Sequence, residues 1–241
     1  MRQMNQEEKT AEKYLVGLSR GVVKFEPDGN IPPDFSLAST IGIEVRRLNQ
    51  NYFDGNRAEG LEERSIPLEQ IFKRVLNSFD KKFNEHSYWV SIIYQRPLRD
   101  GGKTVAADMR KALESFLEGT RKTRCTLQVN NNIRFKIRPS RTVPSRVFHH
   151  AIASDNDSGG LVVQMYAQNI VHCIQEKEPK IVPYKNLYKD WWLLLVDTMM
   201  VWYLEHSEVE EVRAGIATHG GFNKIIVIDY FGNNRLLEIG Q

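Results

Sequence analysis

Cysteine is scarce: Cys125 and Cys173 are the only two among 241 residues. Two cysteines exclude a disulfide framework and a cysteine-based zinc site, and they fit a reducing cytoplasm. Histidine offers no metal motif either. His149 and His150 are adjacent, would point to opposite faces of a strand, and no HExxH-like spacing occurs anywhere. Long apolar runs are missing. The longest, "WWLLLV" at 191–196, is far too short to span a bilayer, and "MRQMNQEEKTAEKYL" at the N-terminus has no apolar signal core. The expectation is a cytoplasmic protein with no membrane partner. Phosphate-cradling loops are absent as well. "THGGF" and "DSGG" match neither GxxxxGK[ST] nor GxGxxG, and no nucleophile elbow is present. No internal repeat or low-complexity tract is found.

What is there is an ordinary globular composition, 41% hydrophobic and 26% charged, with a formal net charge of +3. The mild excess of base is compatible with a polyanionic partner. The length fits one large domain, or a core domain with an insertion. The spacing predicts a helix over 6–19 with acids in its early turns, two strands "DFSLA" and "IGIEVRRL", and a loop over 49–64. A helix over 67–83 follows, with Pro67 at an early position. Next come a strand "SYWVSIIYQ", a helix ended by Gly119, a hairpin "CTLQVNNNIRFKIR" and a strand "RVFHHAIAS". Residues 161–181 read as mostly helical. "WWLLLVDT" and "KIIVIDYF" are continuous apolar runs of the kind found in central strands covered on both faces. Helices and strands alternate around buried strands, so the fold class is α/β: a mixed central sheet flanked by helices. One domain over 1–241 is expected, with 85–160 as its elaborated or inserted middle.

The charged residues of "PDFSLASTIGIEVRRL" need an explanation, because isolated charges inside strands are costly. In "IGIEVRRL", Ile41, Ile43 and Val45 point one way and Gly42, Glu44 and Arg46 the other. A loop of Ala38, Ser39 and Thr40 pairs Leu37 with Ile41, which places Asp34 opposite Glu44 on one face, with Arg46 alongside. Two carboxylates that close repel unless a cation or a proton lies between them, and such hard oxygen donors suit Mg²⁺ or Mn²⁺. The plain structural alternative is a solvated strand face carrying ordinary charges, and a one-residue slip would separate the acids.

"PDF" followed by acid-x-basic on the next strand resembles the signature of the PD-(D/E)XK nuclease superfamily, the restriction-endonuclease-like fold. The order of elements is similar, and so are "IVHCIQEKEPKIVPYKNLYKDWWLLLV" and "FNKIIVIDYF"; the likeness touches both ends of the chain and not its middle. The resemblance implies a restriction-endonuclease-like core acting as a Mg²⁺-dependent (or Mn²⁺-dependent) endo- or exonuclease. It implies Asp34 and Glu44 as metal ligands, the Val45 carbonyl completing the site, and Glu12 of the first helix adding a water-mediated ligand, with Glu8 as the alternative. The chain departs from the family at Arg46, where the family places lysine. Arginine stays protonated and cannot assist proton transfer, although it can clamp a phosphate.

A lysine from elsewhere is at hand. Ile170, Ile174, Lys177 and Ile181 are spaced by four, three and four, which puts Lys177 in line with a buried helical stripe. The plain alternative is a flexible lysine near a helix end; Lys180 and Tyr184 are weaker candidates. In the middle of the chain, Arg134, Lys136 and Arg138 alternate with Ile133, Phe135 and Ile137. With Arg121, Lys122, Arg124, Arg141 and Arg146 this basic strand face could follow a nucleic-acid backbone, or simply keep an exposed strand soluble. The reading is therefore a metal-dependent nuclease with nucleic acid as partner and catalytic residues Asp34, Glu44, Arg46 and Lys177; a homodimer is left open. The rivals are a catalytically inactive nuclease-fold binding protein and a protein-interaction module of a defence or toxin-antitoxin system.

Overall fold

A computed structural model describes residues 2–55, 57–80, 86–119, 123–143, 145–158, 162–199 and 204–240. In chain order the elements are α1 (Gln6–Gly17), β1 (Val23–Phe25), β2 (Phe35–Leu37), β3 (Ile41–Leu48), β4 (Asn51–Asp54), β5 (Arg57–Gly60), α2 (Leu61–Asn77), β6 (Ser87–Tyr94) and α3 (Gly102–Glu118). They continue with β7 (Cys125–Gln128), β8 (Ile133–Ser140), β9 (Phe148–Asp155), α4 (Val162–Ile181), a short 3₁₀ helix (Val182–Leu187), β10 (Asp190–Asp197), α5 (His206–Ala214), β11 (Lys224–Ile228) and β12 (Arg235–Gly240). The chain is α/β, with two mixed sheets flanked, among the described residues, by five α-helices, and it divides into two compact units: Met1–Gln50 with Gly160–Gln241, and Asn51–Gly159. The second unit starts well before the expected 85–160, because α2 packs on the sheet of that unit and belongs to it. Among the described residues no helix is long and apolar enough to cross a membrane.

The first unit holds a six-stranded sheet in the order β1-β2-β3-β10-β11-β12. β10 runs parallel to both β3 and β11, and the outer pairs are antiparallel. Both faces are covered. Ala11, Tyr14 and Leu15 of α1 bury the side that carries Ile43, Val45, Trp192 and Leu194. Tyr166, Ile170, Cys173 and Ile174 of α4, with Val212 of α5, bury the side that carries Trp191, Leu193, Ile225 and Val227. Double coverage is why β10 and β11 are apolar without alternation. α1 opens on a capping box in which Asn5 and Glu8 satisfy each other's backbone N–H groups. The helix α5 was not anticipated. Its stripe is Val212 with the half-buried Val209, too short a period to stand out in "HSEVEEVRA".

The second unit holds a four-stranded sheet in the order β7-β8-β6-β9, with β6 parallel to β9 and antiparallel to β8. α2 and α3 cover one face through Phe72, Val75, Met109 and Leu113, packed on Tyr88, Val90, Ile92 and Phe135. The stretch 49–64, expected to be a loop, forms the β4–β5 hairpin and the first turn of α2. Pro67 is therefore inside α2 rather than at its start. It removes one N–H, but Glu63, whose carbonyl would have accepted it, is exposed to water.

Burial, before any neighbouring charge, holds His149 and His150 of β9 below the ordinary histidine range. A depressed folded-state value means the unfolded chain takes the proton first. The contribution is intact above about 6.5 and is lost as pH falls below it. The urea midpoint of this unit should fall between pH 7.5 and pH 5.5, and less so in a His149→Gln, His150→Gln variant. Equal pH dependence in both proteins would exclude these imidazoles as the cause.

Candidate functional site

The hairpin β2–β3 carries the acids. Its three residue pairs, Leu37 with Ile41, Ser36 with Gly42 and Phe35 with Ile43, are in the anticipated register. One further step brings Asp34 opposite Glu44. The ladder does not continue there as backbone pairing. Instead Asp34 Oδ2 accepts a hydrogen bond from the Val45 N–H at 2.8 Å. Glu44 points to the α4 side of the sheet and is 3% exposed. A carboxylate this deeply buried needs a partner.

α4 supplies it. Lys177 Nζ lies 2.7 Å from Glu44 Oε2 and 3.5 Å from Asp34 Oδ2. The four-three-four spacing of Ile170, Ile174, Lys177 and Ile181 works as expected: the isoleucines fill the core, and the lysine uses the same stripe to reach the acids. Burial pushes the Glu44 carboxyl above its ordinary range; Lys177 opposes that and Asp34 reinforces it. For Lys177, burial favours loss of the proton, but the two carboxylates outweigh it and the net direction is upward.

Arg46 lies on the same face but is turned away from the acid pair. Its Nε is 3.0 Å from Glu176 Oε2 and its guanidinium also donates to the Arg47 carbonyl at 3.0 Å. Glu176 is also 3.3 Å from Lys180, one helical turn on. Burial raises the Glu176 carboxyl, but Arg46 and Lys180 outweigh it and leave it below the ordinary range. Glu176 was not anticipated, although its position beside Lys177 and four residues before Lys180 was a visible signal.

The first helix is less engaged. Glu8 is committed to the cap of α1 and to Arg2 at 2.6 Å, so it is not a ligand candidate. Glu12 is half-buried on α1, which packs on the Ile43 and Val45 side of the sheet; no hydrogen bond or ion pair joins it to Asp34 or Glu44. Among the described residues no three His, Cys, Asp or Glu side chains converge in a metal-ligand group. An ion here would rest on two carboxylates, completed by backbone, water or substrate oxygens.

In the second unit, Arg134, Lys136 and Arg138 are exposed on β8 as the alternation required, with Ile133, Phe135 and Ile137 buried. Arg146 is 3.7 Å from Asp80, and Arg121 and Lys122 lie outside the described residues. Compared with protein-family models, curated proteins and solved structures, the chain matches none. The reading of the site therefore rests on its own residues.

Proposed function

We propose that the chain is a metal-dependent nuclease that hydrolyses phosphodiester bonds in DNA or RNA, with a restriction-endonuclease-like core in its first unit. The observation that carries the reading is a trio built round the buried Glu44: two carboxylates from adjoining strands sharing one lysine ammonium. It answers the departure at Arg46, since a lysine does stand beside the acids, delivered by a helix instead of the strand. The resemblance of "PDF" and "IGIEVRRL" to the PD-(D/E)XK signature supports the same reading.

The residues fit a divalent ion by their chemistry. Both acids are hard oxygen donors, and the ammonium against them marks where the pair's charge calls for a cation. Asp34 and Glu44, with the Val45 carbonyl, would hold it. When bound, such an ion supplies positive charge to a scissile phosphate and lowers the pKa of water. Lys177, held protonated by the two carboxylates, stabilises negative charge growing on the phosphate oxygens. Arg46, held by Glu176, offers a fixed, permanently protonated fork to a neighbouring phosphate.

The test is incubation of labelled single- and double-stranded DNA and RNA with Mg²⁺ or Mn²⁺. Cleavage should appear, stop with EDTA, and fall at least about 100-fold in Asp34→Ala. Cleavage by Asp34→Ala or Glu44→Ala at the wild-type rate refutes the assignment. Binding without turnover in either ion selects an inactive nuclease-fold binder. The lack of any salt-dependent nucleic-acid affinity selects an interaction module.

A further inference from the structure

The sheet of the second unit has one face packed under α2 and α3 and, among the described residues, one face that no helix of that unit covers. The uncovered face is chemically unusual. Its middle is an open trough of about 770 Å³, lined among others by Trp89, Ser91, Arg124, Lys136 and Arg138, and none of the described residues in its lining is a carboxylate. The strand registers explain the composition. Trp89 pairs with Arg138, Ser91 with Lys136 and Ile93 with Arg134, so the basic residues of β8 and the tryptophan of β6 share one side. Arg124 adjoins them at the start of β7. Among the described residues none of these four cations has an ion-pair partner.

Trp89 is 36% exposed, unlike Trp191 and Trp192, which are in the core. Its ring lies 4.8 Å from that of His149 on the neighbouring strand, at 37°. Burial and the nearby Arg146 keep that imidazole on the neutral side, so the two rings form an uncharged aromatic ledge beside four cations. An indole part-exposed on a strand face offers a free ring face on which a planar group can stack.

We propose that this face binds single-stranded nucleic acid, with Trp89 and His149 stacking an unpaired base and Arg124, Arg134, Lys136 and Arg138 holding the flanking phosphates. Charge complementarity favours a polyanion: four cations with no ion-pair partner among the described residues fit a phosphate track. The aromatic ledge selects single strands. In a duplex the base faces are already stacked on one another, and an indole set in a β-sheet face has nothing to cover. In a single strand every base presents a free π-face, so the mode tolerates sequence. This inference does not rest on the acid pair or on cleavage.

The experiment is a fluorescence titration of the full chain in EDTA. The probes are fifteen-nucleotide oligo(dT) and oligo(U), a duplex of mixed sequence and equal length, and heparin. Single strands should bind more tightly than the duplex and quench tryptophan emission. The slope of log K against log salt should approach about −2.8, for four phosphate contacts. Trp89→Ala should weaken single-strand binding about tenfold and remove most of the quench. Lys136→Ala and Arg138→Ala should each reduce the slope by about 0.7. Both RNA and DNA arms support the inference; their ratio reports whether a 2′-hydroxyl is read. Three results overturn it: duplex or heparin binding as tightly as single strands, no effect of Trp89→Ala in a variant with unchanged circular dichroism, or a concentration-dependent dimer that protects Trp89 from acrylamide.

Discussion

Replacing Lys177 with methionine should cost the first unit about 3–5 kcal/mol in divalent-free buffer, because it strands two carboxylates that share that one cation. The side chains of Lys177 and Glu44 are 11% and 4% exposed, so water cannot substitute for the ammonium. Burial already pushes the Glu44 carboxyl upward, and without Lys177 nothing at hydrogen-bond distance opposes it. The variant should therefore bind a proton there more readily, and unfold at lower urea as the pH rises. A double variant, Lys177→Met with Glu44→Leu, should be less damaged than the sum of its parts, since a buried pair replaced by apolar residues is often neutral. Adding Mg²⁺ or Mn²⁺ should restore stability to Lys177→Met more than to the wild type, as the ion replaces the lost charge. Lys177→Arg separates the roles. It should recover part of the stability while cleavage stays about 100-fold down or worse, because the planar guanidinium cannot place its charge where the compact ammonium sits. Unchanged stability and unchanged cleavage in Lys177→Met would remove the trio as the basis of the site.

A loss of similar size, in the other unit, is expected for Arg96→Met. The Arg96 side chain is fully buried. Its Nη1 lies 2.7 Å from both Asp155 oxygens, its Nη2 donates to the Leu61 carbonyl at 2.7 Å, and its backbone N–H donates to Asp157 Oδ2 at 2.6 Å. One guanidinium thus ties the end of β6 to the end of β9 and the start of α2. Methionine would leave Asp155 without its cation and the Leu61 carbonyl without a donor, costing about 3–5 kcal/mol. Lysine should recover only part, because an ammonium cannot span both partners in the fork geometry. Urea unfolding, with hydrogen exchange of the β9 amides, measures both. A loss under about 1 kcal/mol would show that backbone pairing holds β9 without the clamp.

Much of this arrangement was written in local patterns. The period-two alternation of "IGIEVRRL" separates Ile43 and Val45 from Glu44 and Arg46, and the same rule exposes Arg134, Lys136 and Arg138. The loop at Ala38–Thr40 sets the register that opposes Asp34 to Glu44, although Ala38 and Ser39 adopt left-handed backbone that their residue types did not announce. The unbroken apolar runs of β10 and β11 announced covered central strands. The β4–β5 hairpin was missed because "NYFDGNRAEG" alternates weakly and its burial is slight, and Pro67 suggested a helix start six residues too late.

Residue order alone sets which way each side chain points along its own element, because strand and helix periods are local and need no knowledge of the rest of the chain. Tertiary structure alone decided who meets whom. It brought Lys177 of α4 onto acids more than 130 positions earlier, turned Arg46 to Glu176, committed Glu8 to a helix cap, and set Trp89 beside His149. Those pairings depend on the offset and angle at which elements dock, which many residues of the packed core fix jointly and no short stretch records.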